Sequence, residues 1–174
     1  MPCSSSCPPS KRPRPAAADS RRHGDAGWHS RSAFAAAHKD IDAAQIESLL
    51  VTRDGDGEAL WISAFGVGLL RLDAHGLRRW TQQSGELPTN QLYDIAATPL
   101  PNGKNAIWIA SRSGLLRVHD GRVQVFDRRH GLTSDVIRGL NAWRSPSGSQ
   151  VLWLATEAGI SRTVLDGSAW STAS

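Results

Sequence analysis

The sequence predicts an all-β fold, a partial β-propeller of about three four-stranded antiparallel blades preceded by a disordered basic head. The first observation behind this prediction is an apolar segment around Trp61 that returns around Trp108 and Trp153, after 47 and 45 residues. Repeats of this length are typical of propeller blades or solenoid turns. The second observation is that each repeat contains four short strand-like pieces separated by turn residues. The third is a sharp change of composition near residue 40.

Residues 1–40 form the predicted head. They contain seven lysines or arginines and three aspartates, so they carry the whole formal net charge of +4. The head is rich in Pro, Ser, Ala and Arg and has little apolar surface to bury, which favours disorder. It lacks the interleaved aromatic residues of a single-strand binder, so a nucleic acid partner is not expected. It shows no apolar run typical of a secretory signal, and no stretch of the chain is apolar enough to predict a transmembrane helix.

Both cysteines of the chain, Cys3 and Cys7, lie in this head. A structural zinc site needs four ligands, and the spacings of His23 and His29 to these cysteines match none of the usual zinc patterns. We therefore expect neither a metal nor another cofactor.

The middle repeat shows how one blade is built. Its four strand-like pieces are, in order, Gln91–Ala96, Ile107–Ala110, Leu115–Val118 and Arg122–Phe126. The segments between them are rich in Pro, Gly, Asn, Asp and Ser, which are turn residues. Four antiparallel strands in about 45 residues match the size of a propeller blade. The three repeats are placed at approximately 41–85, 86–130 and 131–174.

The first strand of each repeat carries two apolar residues at three-residue spacing, for example Ile46 and Leu49. This spacing alone would suit a helix. The turn signals that follow, Asp54-Gly55 and Asp56-Gly57, and the repeat context favour an inner strand with a bulge or edge irregularity.

Each repeat has one tryptophan in its second strand and one glycine six or seven residues later. The tryptophans are Trp61, Trp108 and Trp153, and the glycines are Gly68, Gly114 and Gly159. The tryptophans are predicted to pack between blades, because a buried ring of this size contributes strongly to a core. The glycines are predicted to lie in the hairpin between the second and third strands, where a positive φ or a close backbone approach is required.

No familiar catalytic motif occurs in the chain. A Gly-x-Ser-x-Gly elbow, a P-loop, a dinucleotide-binding glycine pattern and a His-Glu-x-x-His helix are all missing, so no catalytic residue is predicted. Asp54, Asp56 and Glu58 alternate as in a calcium loop. Positions six and twelve of that loop would be Ala59 and Phe65, which favours a turn between strands instead.

Four residues form a candidate ligand rim. His75 and His119 lie in the predicted turns between the third and fourth strands of successive repeats, at positions that we interpret as equivalent. Arg128 and Arg129 form a small basic cluster after the fourth strand of the middle repeat. Exposed turns and a solvated loop are the simpler interpretation, and contacts to a ligand or metal, or to an anionic ligand at the arginines, are the alternative.

The repeats share two motifs. A four-residue segment with tryptophan at its second position precedes each hairpin glycine, and these segments are Leu60–Ser63, Ile107–Ala110 and Leu152–Ala155. Two segments, Glu86–Asn90 and Gly131–Asp135, look like a Gly-Leu-Pro-x-Asn linker into the next repeat. In both motifs residues 41 to about 170 resemble the two-component regulator propeller repeats, which form blades in extracytoplasmic sensor regions of bacterial histidine kinases and related signalling proteins.

The resemblance implies a ligand-sensing propeller without catalytic activity of its own, whose occupancy is passed to an output such as a kinase or a cyclic-dinucleotide enzyme. It implies a small-molecule or glycan ligand and a periplasmic location, although no signal peptide is visible. Propellers close with typically four to eight blades, so three blades would leave two open sheet faces. Three explanations would account for the open faces. The chain could be part of a longer regulator with further blades, it could close a six-bladed ring as a homodimer, or the missing blades could belong to another polypeptide. We favour a fragment of a longer regulator.

Two other functions stay open. A propeller-type lyase or hydrolase would gather histidines and acidic residues from several blades at the channel mouth. A purely structural scaffold would bind protein partners but no small molecule. The sequence does not separate the sensor from the scaffold.

Overall fold

The structure, a computed structural model, describes residue 41 and residues 44–55, 57–166 and 169–173. The predicted head, with Cys3 and Cys7, and Asp56 of the rejected calcium loop lie outside the described residues. In the described part, twelve strands form three four-stranded antiparallel sheets. The predicted all-β class with three four-stranded antiparallel units is confirmed.

The strands of each sheet follow one another along the chain. Sheet 1 consists of β1 (Gln45–Asp54), β2 (Gly57–Phe65), β3 (Gly68–Asp73) and β4 (Gly76–Trp80). Sheet 2 consists of β5 (Leu92–Pro99), β6 (Asn105–Ser111), β7 (Gly114–His119) and β8 (Arg122–Phe126), and a short 3-10 turn, Arg128–His130, follows it. Sheet 3 consists of β9 (Ile137–Arg144), β10 (Gln150–Thr156), β11 (Gly159–Asp166) and β12 (Ala169–Ala173). Hydrogen-bonded neighbours are always consecutive strands, so each sheet is a simple meander.

The first strand of every sheet contains an irregularity in its pairing. The register of β1 shifts between Ile46 and Ser48, and that of β5 shifts between Leu92 and Asp94. In sheet 3 the shift lies opposite Ala155. The predicted bulged strand is therefore confirmed, and the three-residue apolar spacing follows from the extra residue of the bulge rather than from a helix.

The core consists of layers between consecutive sheets. We call the face that bears the tryptophan of the second strand the front face of a sheet, and the opposite face its back face. Side chains of the front face of sheet 1 and the back face of sheet 2 form one core cluster, which includes Trp61, Leu69, Trp80, Ile107, Ile109 and Leu116. The front face of sheet 2 and the back face of sheet 3 form a second cluster, which includes Trp108, Leu115, Phe126, Leu152 and Leu154. The front faces of sheets 1 and 2 are thus each covered by the next sheet.

The hairpin glycines open the third strand of each sheet with φ values of 125°, 110° and 107° at Gly68, Gly114 and Gly159. Residues that carry a side chain rarely adopt this backbone conformation. At Gly114 an added Cβ would also lie only 2.3 Å from the carbonyl oxygen of Phe126. At Gly159 such a Cβ would meet no atom of the described residues within 4 Å.

The linkers between sheets are fixed by the second sequence motif. Asn90 Oδ1 accepts a hydrogen bond from the backbone N–H of Gln82 at 2.7 Å, and Asp135 Oδ1 accepts the equivalent bond from Arg128 at 2.8 Å. The linker leucines are buried, and they are Leu87 and Leu132. The linker therefore binds back to the sheet that it leaves, which sets the position of the next sheet.

Candidate functional site

A tryptophan and an arginine stack on the front face of every sheet. The guanidinium carbon lies 5.4 to 5.8 Å from the ring centroid in the pairs Trp61 with Arg71, Trp108 with Arg117, and Trp153 with Arg162. The two residues of each pair are direct cross-strand partners, so the register alone brings them together. These arginines were missed as candidates, although an arginine nine or ten residues after each tryptophan was visible in the sequence.

A cleft of about 340 Å³ opens between the front face of sheet 1 and the back face of sheet 2. It lies at the end of this interface where β6 begins and β7 ends. Trp61 and Trp80 form part of its wall and stack on each other with their centroids 5.5 Å apart. The volume is in the range of small-molecule sites, which is about 300–1,000 Å³. The described residues that line the cleft belong to sheets 1 and 2 or to the hairpin turns of sheet 2.

Two arginines on the sheet 1 side of the cleft stand directly opposite each other. Arg71 of β3 and Arg78 of β4 are cross-strand partners, and both line the cleft. Arg71 Nη1 lies 3.0 Å from Asp73 Oδ2, and Arg78 Nη2 lies 3.7 Å from Glu86 Oε1. The guanidinium carbon of Arg78 also lies 4.4 Å from the ring centroid of Trp80. Both cationic groups are thus held in place by aromatic rings and carboxylates.

The sheet 2 side of the cleft adds further charged groups. Lys104 Nζ lies 3.4 Å from Asp120 Oδ1. His119 Nε2 lies 3.5 Å from Asp120 Oδ2. The side chain of His119 is on the same face of sheet 2 as that of Arg117, which is the front face, so the imidazole points away from this wall of the cleft. Among the lining side chains, Arg71, Arg78 and Lys104 therefore face one carboxylate, that of Asp120, with the amide of Asn105 beside them.

The structure separates the two histidines of the candidate rim. His119 is the last residue of β7 and lines the cleft, whereas His75 lies in the turn between β3 and β4 and does not. The pairing of His119 with Arg122 matches that of Asp73 with Gly76. His119 therefore corresponds to Asp73, and the expected equivalence of the two histidines is wrong, because each hairpin has a two-residue turn and His119 precedes its turn.

The basic cluster after β8 lies at the other end of that strand. Arg129 Nε and Nη2 donate to Asp127 Oδ2 at 2.9 and 2.5 Å, and His130 Nδ1 lies 2.9 Å from Asp127 Oδ1. The hydrogen bonds from Arg129 and His130 hold the pKa of Asp127 well below its usual range. A five-residue strand of about 17 Å separates Arg128 and Arg129 from His119. The four rim residues are therefore not brought into one site.

The front face of sheet 3 is exposed. Trp153 is 41% exposed and Ile160 70% exposed, whereas the equivalent Trp108 and Leu115 of sheet 2 are 2% and 0% exposed. Trp143, on the same face of sheet 3, is 48% exposed. The expected packing of Trp153 between sheets is thus not found in the described part of the chain. The physical reason is that no described sheet follows sheet 3.

Metal-ligand clusters and membrane-spanning helices are the last two features considered among the described residues. No group of three or more His, Cys, Asp or Glu side chains there could hold a metal ion. No helix there is long and apolar enough to cross a membrane.

The chain is similar to two solved structures. No protein-family model matches the chain, and no curated protein matches it. The chain is similar to the extracellular domain of a hybrid two-component system from B. thetaiotaomicron, with 26% sequence identity and a TM-score of 0.52, over 70% of this chain and 16% of that one. It thus spans only a small part of that domain. It is also similar to a fucose lectin from Kordia zhangzhouensis in complex with methyl-fucoside, with 15% identity and a TM-score of 0.42, over 73% of this chain and 96% of that one.

Proposed function

We propose that the chain is a non-catalytic ligand-binding module of a bacterial signal-transduction sensor. The observation that carries this proposal is the cleft between sheets 1 and 2, which is concave and lined by aromatic and charged side chains. Its lining is more polar than apolar, and the converging polar groups beside aromatic rings suit a small polar molecule.

The sensor context is supported by two independent likenesses. The tryptophan and linker motifs resemble two-component regulator propeller repeats, and the three sheets are similar to part of the extracellular domain of a hybrid two-component system. The module accordingly meets its ligand on the extracytoplasmic side and passes its occupancy to an output in other parts of a longer regulator.

A lyase or hydrolase function has less support. Such an enzyme would need an acid and a base that converge on the substrate. The imidazole of His119 points away from the cleft, and Asp120 is paired with Lys104. We therefore assign the cleft to binding rather than to catalysis.

A second candidate function, docking of a protein partner, is favoured by the front face of sheet 3. Trp143, Trp153 and Ile160 form an exposed apolar surface at positions whose equivalents elsewhere in the chain are covered by a sheet. Large exposed apolar surfaces mark interaction sites. Further blades of a longer regulator are the occupant that we favour, and a second copy of this chain is the alternative.

The test of the proposed function is a ligand screen on the full chain by thermal shift, with neutral sugars, sugar acids, sugar phosphates, amino acids and nucleotides. We expect at least one class to raise the unfolding temperature at millimolar concentration. Each stabilising compound is then incubated with the protein for hours and analysed by mass spectrometry. Recovery of the unchanged compound supports a binding module. Chemical conversion of it, or the absence of any stabilising compound, contradicts the proposal.

A further inference from the structure

We propose that the cleft between sheets 1 and 2 binds an oxyanion carried on a small hydroxylated molecule, such as a sugar acid or a sugar phosphate. Arg71 and Arg78 bind the oxyanion, and the opposite wall binds the hydroxyl groups. This inference rests on the proposed function of the same cleft and adds the chemical class of its ligand.

The first argument is the pairing of two like charges. Arg71 and Arg78 occupy directly opposed positions on one face of an antiparallel pair. Cβ atoms at such positions are about 4.5–5.5 Å apart, and like charges placed there destabilise a sheet. Asp73 and Glu86 offset this repulsion in part, and an anion bound to both guanidinium groups would reduce it further and gain charge-assisted hydrogen bonds from both.

The second argument is that, among the described sheets, this pair occurs in sheet 1 only. The partner of Arg117 in sheet 2 is Gln124, and the partner of Arg162 in sheet 3 is Ala173. The arginine that stacks on the tryptophan therefore belongs to the common architecture of the described sheets, whereas Arg78 does not. Sheets 2 and 3 form without a second arginine, so the paired charge is a particular feature of sheet 1.

The third argument is the fixed orientation of the guanidinium groups. The ring of Trp61 supports Arg71, and the ring of Trp80 supports Arg78. A guanidinium held flat on an aromatic ring keeps its planar set of donors in one orientation, which suits bidentate binding of carboxylate or phosphate. Arg78 Nη2 lies 3.7 Å from Glu86 Oε1 and donates a long hydrogen bond of 3.4 Å to the carbonyl oxygen of Gly121, and about half of the Arg78 side chain stays exposed to a ligand anion.

The fourth argument concerns the opposite wall. There Asp120 offers carboxylate oxygens that accept hydrogen bonds, and Asn105 offers a side-chain amide. Together these two groups provide the mixture of donors and acceptors that hydroxyl groups require.

The test is isothermal titration calorimetry of the full chain with three probes: D-glucuronate, D-glucose 6-phosphate and D-glucose. We expect at least one of the two anions to bind about tenfold or more tightly than glucose, because a hydrogen bond to a charged group contributes more than a neutral one. A preference between the anions tells whether a carboxylate or a phosphate is recognised.

The matched variants are R78Q, which gives sheet 1 the residue that sheet 2 already has, and R112Q. Arg112 is exposed on the hairpin at the other end of sheet 2 and serves as the control. We expect R78Q to weaken binding of the anion by about tenfold or more and R112Q to leave it unchanged, with both variants folded by circular dichroism.

The inference is overturned if glucose binds as tightly as both anions, if none of the three probes binds, or if R78Q and R112Q behave alike. Stabilisation by a neutral or cationic compound in the thermal-shift screen, with no effect of any anion, would refute the inference but leave the proposed function standing. If no compound in the thermal-shift screen stabilises the protein, both the inference and the proposed function are refuted.

Discussion

Replacement of equivalent tryptophans by alanine should have unequal effects on stability. Trp108 is 2% exposed and Trp153 is 41% exposed, so W108A removes more buried surface than W153A. A tryptophan buries about 200 Å² in a core, and the difference in exposure corresponds to roughly 80 Å², or about 2 kcal/mol at ~25 cal/mol per Å². Trp108 Nε1 also donates to the buried Thr98 Oγ1 at 2.9 Å. The loss of this bond adds about 1 kcal/mol, so W108A should cost about 3 kcal/mol more than W153A.

The assay is urea unfolding followed by circular dichroism, with the free energy of unfolding obtained by linear extrapolation. The slopes of the two variants must agree with that of the parent chain, so that the comparison refers to the same transition. Measurements over a tenfold range of protein concentration serve as the control for self-association. Equal losses of stability, independent of concentration, would refute the reasoning that the front face of sheet 3 is uncovered in this chain.

Three further predictions concern single contacts. G114A should destabilise the chain by about 1–3 kcal/mol more than G159A in the same urea assay, because both have positive φ but only Gly114 faces a backbone oxygen; equal costs would contradict this. D94A should cost about 2–3 kcal/mol, because this carboxylate accepts bonds from a serine of sheet 1 and a backbone N–H of sheet 3, and a loss below about 0.5 kcal/mol would contradict the bridging role. Asp127 should stay ionised when pH falls below the usual carboxyl range near 4. Its contribution to stability is then present above that range and lost only as pH falls further through the lowered pKa. A carbon-13 NMR titration in which this carboxyl gains its proton near pH 4 would contradict the pairing with Arg129.

The strands and their order could be predicted from sequence because they depend on local patterns. Alternating apolar residues and turn residues recur in each repeat, and the repeat itself resolves the ambiguous spacing of Ile46 and Leu49 in favour of a bulged strand. The hairpin glycines were also predictable, because a glycine recurs six or seven residues after each tryptophan. The structure gives all three a positive φ.

The cleft could not be predicted in this way. It depends on which side chains face each other across strands, and this register is set by the length of each turn. Arg71 was visible as part of a repeated pattern, but its pairing with Arg78 follows only from the two-residue turn between β3 and β4. The same turn length makes His119 the last residue of β7, with its side chain on the front face of sheet 2, and leaves His75 in a turn.

Burial of a repeated residue is likewise not a local property. Trp108 and Trp153 stand in nearly the same sequence context, yet their exposure differs because sheet 3 covers the first and no described sheet covers the second. Sequence similarity between repeats therefore predicts position within a sheet but not contact with a neighbour.

The most direct test of the ligand site is an NMR titration of the tryptophan indole N–H resonances with the anion that binds best. Trp61 and Trp80 border the cleft, whereas Trp108 lies in the equivalent layer between sheets 2 and 3. Trp61→Phe, Trp80→Phe and Trp108→Phe variants assign the three signals. The account predicts that the signals of Trp61 and Trp80 shift with ligand concentration while that of Trp108 stays in place. A shift of Trp108 alone, or no shift of any signal at saturating ligand, would contradict it.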